Sequence, residues 1–297
     1  GTSGITALTT AQIGALSSSS FANLLTSQLN SLSSNSVKAL SSSQISALGT
    51  SGITAFSGNQ FKSLSTSAIK GLGLDQVAKL TTDEIASLSS AQVQALDTAG
   101  INAISTASIG SLSTSSISAL TTSQFSNLSS AIFGALTSKQ LGSLSTANIS
   151  KLSSSQVQGL GTSGISSLTS SQIVSLGTSG ISALTSDQVS SLTSAGLSSL
   201  TGDQIASLGT AKINNLSSSQ IQSLSSKALS GLSSAQIGVL NSATIAGLKS
   251  SQIAALSTSV MNSIGSDQLI ALGTSGITAL TTAQIGALSS SSFANLL

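Results

Sequence analysis

Large apolar residues recur at every eighth position along the whole chain. One series runs Ile5, Ile13, Phe21, Leu29, Val37, Ile45 and on to Phe293. A second runs Leu8, Leu16, Leu24, Leu32 and on to Leu296, departing from Leu only at Phe56, Ile104 and Ile264. The six positions between them are mostly Ser, Thr, Ala, Gly, Asn and Gln, and no insertion or deletion breaks the register over 37 octads. A fixed period of this kind marks a repeat architecture, in which each unit buries its apolar face only against its neighbours.

A single long helix does not fit the pattern. Eight residues at 100° each leave the apolar pair rotated by about 80° per octad, so no seam forms and long coiled coils are excluded. Taken singly, each octad reads as a short capped helix. With Ile13 as position five and Leu16 as position eight, Thr9-Thr10-Ala11-Gln12 and Ser41-Ser42-Ser43-Gln44 match the capping box. In that motif a Ser or Thr N-cap is followed three residues later by Gln or Glu. Leu8 before the cap and Ile13 after it match the hydrophobic staple, and Ile13 and Leu16 share one helical face. All seven acids (Asp75, Asp83, Glu84, Asp97, Asp187, Asp203 and Asp267) fall in the first half of their octads. Lys38, Lys62, Lys70, Lys79 and Lys151 fall at positions six or seven, as a helix dipole favours.

The expected fold is therefore an all-α solenoid of short capped helices, with an eight-residue half-repeat and a sixteen-residue full repeat. The alternative is a β-solenoid with sixteen residues per coil, which would suit the Ser and Thr richness and the Gly-Thr-Ser-Gly strings. An apolar pair three apart lands on opposite faces of a strand, and Leu and Ala are weaker strand formers than Val or Thr. The expected core includes Ile5, Leu8, Ile13, Leu16, Ile45, Leu48, Ile85, Leu88, Ile173, Leu176, Ile285 and Leu288. Phe21, Phe56, Phe61, Phe125, Phe133 and Phe293 join it by position.

The sixteen-residue unit shows in position four. Gln stands there at Gln12, Gln28, Gln44, Gln60, Gln76 and Gln92, and after a gap at Ser108 again from Gln124 and Gln140 to Gln284. The alternate octads never carry Gln there; they carry Gly (Gly4, Gly52, Gly100, Gly164, Gly180, Gly196), Ser or another residue. The Gln column reads as a capping or ladder element. On a longer scale, residues 273–297 repeat residues 1–25 identically, an offset of 272 residues. The expected organisation is one continuous solenoid over 1–297, a segment of a longer chain built from a 272-residue super-repeat, and Gly1 fits a start inside that chain or behind a cleavage site.

Composition narrows the function more than the fold. Charged residues are 5% of the chain and aromatics 2%, with no Pro, Cys, His, Trp or Tyr. Apolar residues reach 39% and the mean hydropathy is +0.41, so the chain has surface to bury, unlike disordered segments. Nine Lys against seven acids is no electrostatic footprint for nucleic acid or anionic lipid, and low net charge favours self-association. No apolar run approaches the length of a membrane span. General acid–base chemistry lacks His, and the many Ser lack a base and an orienting partner. Asp83-Glu84 could suggest a calcium site, but an acidic helix start explains it better. Gly-Thr-Ser-Gly lacks the Lys and spacing of a phosphate loop and reads as a turn or cap. No catalytic, cofactor or metal residue is expected. Evenly spaced Gln could read adenines, yet no Lys stripe runs beside the column.

Leu80-Thr81-Thr82-Asp83-Glu84-Ile85 and Leu8-Thr9-Thr10-Ala11-Gln12-Ile13 resemble the opening of a TAL-effector repeat, Leu-Thr-Pro-Glu-Gln-Val. That family's second helix and base-reading pair are missing, so the likeness extends to a capped helix start and not to DNA binding. As strings of Leu-Ser/Thr-Ser/Thr-x-Gln-Ile-x-x-Leu, the whole chain is similar to very large repetitive bacterial proteins regarded as secreted or surface-anchored. That resemblance implies an extracellular filament, sheath or adhesin stalk that associates with itself and has no catalytic activity. The alternative is a surface-binding array for ice or polysaccharide on a β-solenoid, by resemblance to the octad-based ice-nucleation proteins.

Overall fold

The computed structural model describes residues 1–294, apart from the side chains of residues 291 and 293; Leu296 and the side chain of Phe293 lie outside the described residues. Each octad forms one short α-helix, four to seven residues long, and no strand occurs among the described residues. The β-solenoid with sixteen residues per coil is therefore not the fold. Position one, where Thr9 or Ser17 stands, is extended and caps the helix that follows. Leu16 at position eight is also extended (φ −60°, ψ 134°), so two extended residues turn the chain from one helix into the next.

The helices group into two compact units, residues 1–144 and 145–297. In the first, each helix stacks on the third one after it: Ser18–Ala22 on Ser42–Ala47, and Gly58–Ser63 on Thr82–Ser87. The second repeats the rule, with Ser170–Ser175 on Ser194–Ser199 and Ser242–Ala246 on Ser266–Ala271. Hydrogen bonds from one coil to its neighbour join residues 25, 28 and 31 apart. The coil thus closes between three and four octads, and the sixteen-residue period belongs to the chemistry of position four rather than to the coil.

Burial follows position rather than residue type. Ile13, Phe21, Ile45, Phe61, Ile85 and Ile101 at position five are fully buried, and most Leu of position eight are nearly so, Leu72 and Leu152 being half-buried. Apolar Leu25, Leu74 and Ile270, at positions one, two and six, are exposed, whereas Ile132 and Val260 at position four are buried.

One connection departs from the rule. Where Gly occupies both positions one and four, as in Gly177-Thr178-Ser179-Gly180, the preceding Leu176 stays helical (φ −58°, ψ −22°) and Gly177 takes a φ of +64°. Gly180 then lies so close to Leu176 that a Cβ on it would stand 2.8 Å from the Leu176 Cβ. Gly209, followed at position four by Lys212, keeps φ −69° and the ordinary connection. Gly177→Ala should therefore cost about 1–2 kcal/mol through left-handed strain, and Gly209→Ala close to nothing. Native-state hydrogen exchange over octads 169–184 and 201–216 tests the contrast.

Candidate functional site: the glutamine column

At position four, Gln does two jobs with its two side-chain atoms. Within its own octad the carbonyl end closes the helix start. The Ser41 backbone N–H donates to Gln44 Oε1 at 2.9 Å, the Ser41 hydroxyl donates to the same oxygen at 3.1 Å, and the Gln44 N–H donates back to Ser41 Oγ at 3.2 Å. Two N–H groups that the helix leaves without partners are thereby satisfied.

The amide end reaches across to the neighbouring coil. Gln44 Nε2 donates to the carbonyls of Ile13 (2.9 Å) and Leu16 (3.0 Å), 31 and 28 residues back. Those carbonyls end the helix of an earlier Gln-bearing octad, where within the octad the Ile13 carbonyl accepts only the Leu16 N–H and the Leu16 carbonyl lies past the last turn. The bond recurs in the first unit from Gln60 to Leu29 and Leu32, from Gln92 to Phe61 and Leu64, from Gln124 to Val93 and Leu96, and from Gln140 to Ile109 and Leu112. Gln76 donates to Ile45 and, because the chain there passes through a left-handed Gly49, to the Gly49 carbonyl. In the second unit Gln236, Gln252, Gln268 and Gln284 make the same bonds, those of Gln284 to Ile253 (2.8 Å) and Leu256 (2.7 Å). One side chain therefore caps its own helix and stitches that helix to the coil before it.

Of the Gln residues singled out from sequence, Gln44, Gln60, Gln76, Gln92, Gln124 and Gln140 are buried and make both connections. Gln12 and Gln28 stand fewer than 31 residues from Gly1 and make only the cap, Gln12 exposed and Gln28 half-buried. Among the core residues, Ile5, Ile13, Ile45, Leu48, Ile85, Leu88, Ile173 and Leu176 are buried. Leu8, Leu16, Ile285 and Leu288 are half-buried.

The alternate octads solve the same problem with small side chains. Ser116 Oγ donates to the Leu88 carbonyl at 3.1 Å and Ser292 Oγ to the Ile264 carbonyl at 3.0 Å, both 28 residues back. At Gly100 no side chain is available, and a cleft of about 300 Å³ opens between Ile69, Leu72, Leu96 and Gly100, with Lys70 and Asp97 also lining it. At Ser108, the gap in the Gln column, the hydroxyl accepts from the Ser105 hydroxyl within its own octad (2.9 Å).

The acids take the places their octads assign. Asp75, Asp83, Glu84, Asp187, Asp203 and Asp267 sit in first turns, and Asp97 is an N-cap whose Oδ1 accepts the Gly100 N–H at 2.7 Å. Among the described residues no group of three or more of them gathers where it could hold a metal ion. No helix among them is long and apolar enough to cross a membrane.

The family model of the ALTTAQ repeat matches residues 21–58, 53–90, 93–130, 133–170, 164–194 and 261–296, more than half of the chain. Its name is spelled twice in the sequence, at residues 7–12 and 279–284. No curated protein matches the chain.

Proposed function

Since the chain belongs to the ALTTAQ repeat family, we propose that it is a structural protein whose solenoid is itself the product: part of an extracellular filament, sheath or adhesin stalk of a large bacterial surface protein, without catalytic activity. The single observation that carries this reading is the Gln stitch. Within each unit it recurs on backbone carbonyls alone, so successive coils meet through the same kind of bond. A surface built for repetition and not for one ligand is what a fibre requires. The low charge and the off-register, isolated apolar side chains leave self-association as the partner class.

The ice- or polysaccharide-binding alternative rested on flat Thr rows of a β-solenoid, and the helices remove that basis. Cryo-electron microscopy of the protein at native length, with sedimentation analysis, tests the structural reading. Expected are fibres of stacked short helices; compact particles that stay monomeric at high concentration would overturn it.

A further inference from the structure

Glu84 is the chain's only glutamate, and it occupies position four of an alternate octad. Its carboxyl copies the Gln geometry atom for atom on the capping side. The Thr81 N–H donates to Glu84 Oε2 at 2.7 Å, the Thr81 hydroxyl donates to it at 2.9 Å, and the Glu84 N–H donates to Thr81 Oγ1 at 3.3 Å. The other oxygen, Oε1, takes the place of the Gln Nε2. It is buried without a hydrogen-bond partner, in a residue only 1% exposed.

Position four points at the coil before it in both kinds of octad: Gln reaches carbonyls 28 and 31 residues back, and Ser116 and Ser292 reach carbonyls 28 back. For Glu84 those carbonyls belong to Phe56 and Ile53. An ionised carboxylate would set an acceptor against acceptors there. A carboxylic acid would set a donor against them.

We propose that Glu84 is a proton-operated stitch: protonated from solvent on Oε1, it donates to the carbonyl of Phe56 or Ile53 and ties octad 81–88 to octad 49–56, and on losing the proton it releases that coil contact. The register, the burial and the orphaned oxygen carry the assignment, and the energetics agree with it. Burial in the coil interface raises the Glu84 pKa above its ordinary value, Thr81 pulls the other way through its N–H and hydroxyl, and Asp83 adds a further push upward. The helices packed on Thr82–Ser87 are Gly58–Ser63 and Thr106–Ile109. The first carries Lys62, which is exposed and makes no ion pair with Glu84, and the second has no titratable side chain.

A carboxyl whose pKa is higher in the folded state binds more protons folded than unfolded. Its stabilisation is fully present below the unfolded value, about 4.3, and is lost as pH rises through the raised folded value. Within that window amide protection in octads 49–56 and 81–88, corrected for intrinsic exchange, should fall by up to about tenfold per pH unit.

Selective ¹³C labelling of glutamate gives one carboxyl resonance, and its titration in the intact chain reads Glu84 directly. A midpoint above that of free glutamate is expected; a midpoint at or below it overturns the proposal, as does one displaced by added calcium. Glu84→Gln supplies a permanent donor and should show pH-independent protection in these octads at the wild-type's acidic level. Glu84→Leu should be pH-independent as well but less protected than Glu84→Gln. Equal protection in the two variants would reduce Glu84 to a desolvated carboxyl with no stitch.

Discussion

Phe125→Ala should cost about 3–5 kcal/mol and abolish most of the exchange protection in its coil. Phe125 and Phe133 sit at position five of consecutive octads, both essentially inaccessible to solvent. Their rings meet edge to face, centroids 5.3 Å apart and planes at 89°. This geometry brings the positive edge of one ring to the negative face of the other and is worth about 0.5–1.5 kcal/mol beyond the area buried. Truncating one ring removes its own burial, strands its partner's edge contact and leaves a cavity that neighbours anchored every eight residues cannot close by sliding. Phe125→Leu keeps most of the volume and should cost clearly less. A double-mutant cycle with Phe133→Ala isolates the ring–ring term, and a coupling indistinguishable from zero would show that packing volume alone matters here. Because repeat arrays unfold in parts, hydrogen exchange resolved by octad is a better readout than a single melting temperature.

The second large effect belongs to Gln92→Leu, expected at roughly 2–4 kcal/mol from the buried polar groups it orphans. Gln92 is 2% exposed. Its Oε1 accepts from the Ser89 N–H (2.9 Å) and hydroxyl (3.0 Å), and its Nε2 donates to the carbonyls of Phe61 (3.0 Å) and Leu64 (2.9 Å). Leucine matches the volume but leaves the Ser89 N–H and the Leu64 carbonyl with nothing to bond. The Phe61 carbonyl keeps the N–H of Leu64, which holds the estimate below the sum of three losses. Gln94, two residues on and exposed, donates to the Ala119 carbonyl at the surface, where water can replace it. Gln94→Leu should therefore change stability by less than about 0.5 kcal/mol. Protection lost in both octads 57–64 and 89–96 for Gln92→Leu, and in neither for Gln94→Leu, is the expected pattern. Loss confined to 89–96 would mean that the cap matters and the stitch does not.

The two variants mark the boundary of what the residues alone disclose. That Ile13 and Leu16 face inward follows from their spacing on a short helix, and the helix start at Thr9 follows from a motif whose partners lie three residues apart. Local chemistry leaves local traces. The stitch from Gln92 leaves none at its far end, because its acceptors are backbone carbonyls, which every residue possesses. Periodic Gln thus announces that position four matters without naming what it bonds. Coil length is hidden for a similar reason: it is set by two extended residues between helices, as at Leu16 and Ser17, whose dihedral angles no side chain spells out. Gly177 is an intermediate case. Gly-Thr-Ser-Gly reads as a turn or cap, but only the pairing of Gly at positions one and four, against Gly209 with Lys212, signals the left-handed connection. Glu84 passes as an acidic first-turn residue until the coil before it is in view.

The reach of the stitch also sets a rule for how such a gene can lengthen. A Gln-bearing octad is tied to the octad four before it, and four is even, so apart from the octad of Ser108, which Gln140 meets, Gln octads meet Gln octads and small-residue octads meet their own kind. Inserting one octad would put the next four out of step, with glutamines facing partners shaped for glycine and serine and bare carbonyls left behind them. Inserting two restores every pairing. Growth should then proceed in steps of sixteen residues, and the 272-residue offset between the identical stretches 1–25 and 273–297 is seventeen such steps. In such a gene a hydrogen bond between coils acts as a parity check on duplication: even copies of the octad pass into the fold without a seam, and odd ones leave a fault four helices wide.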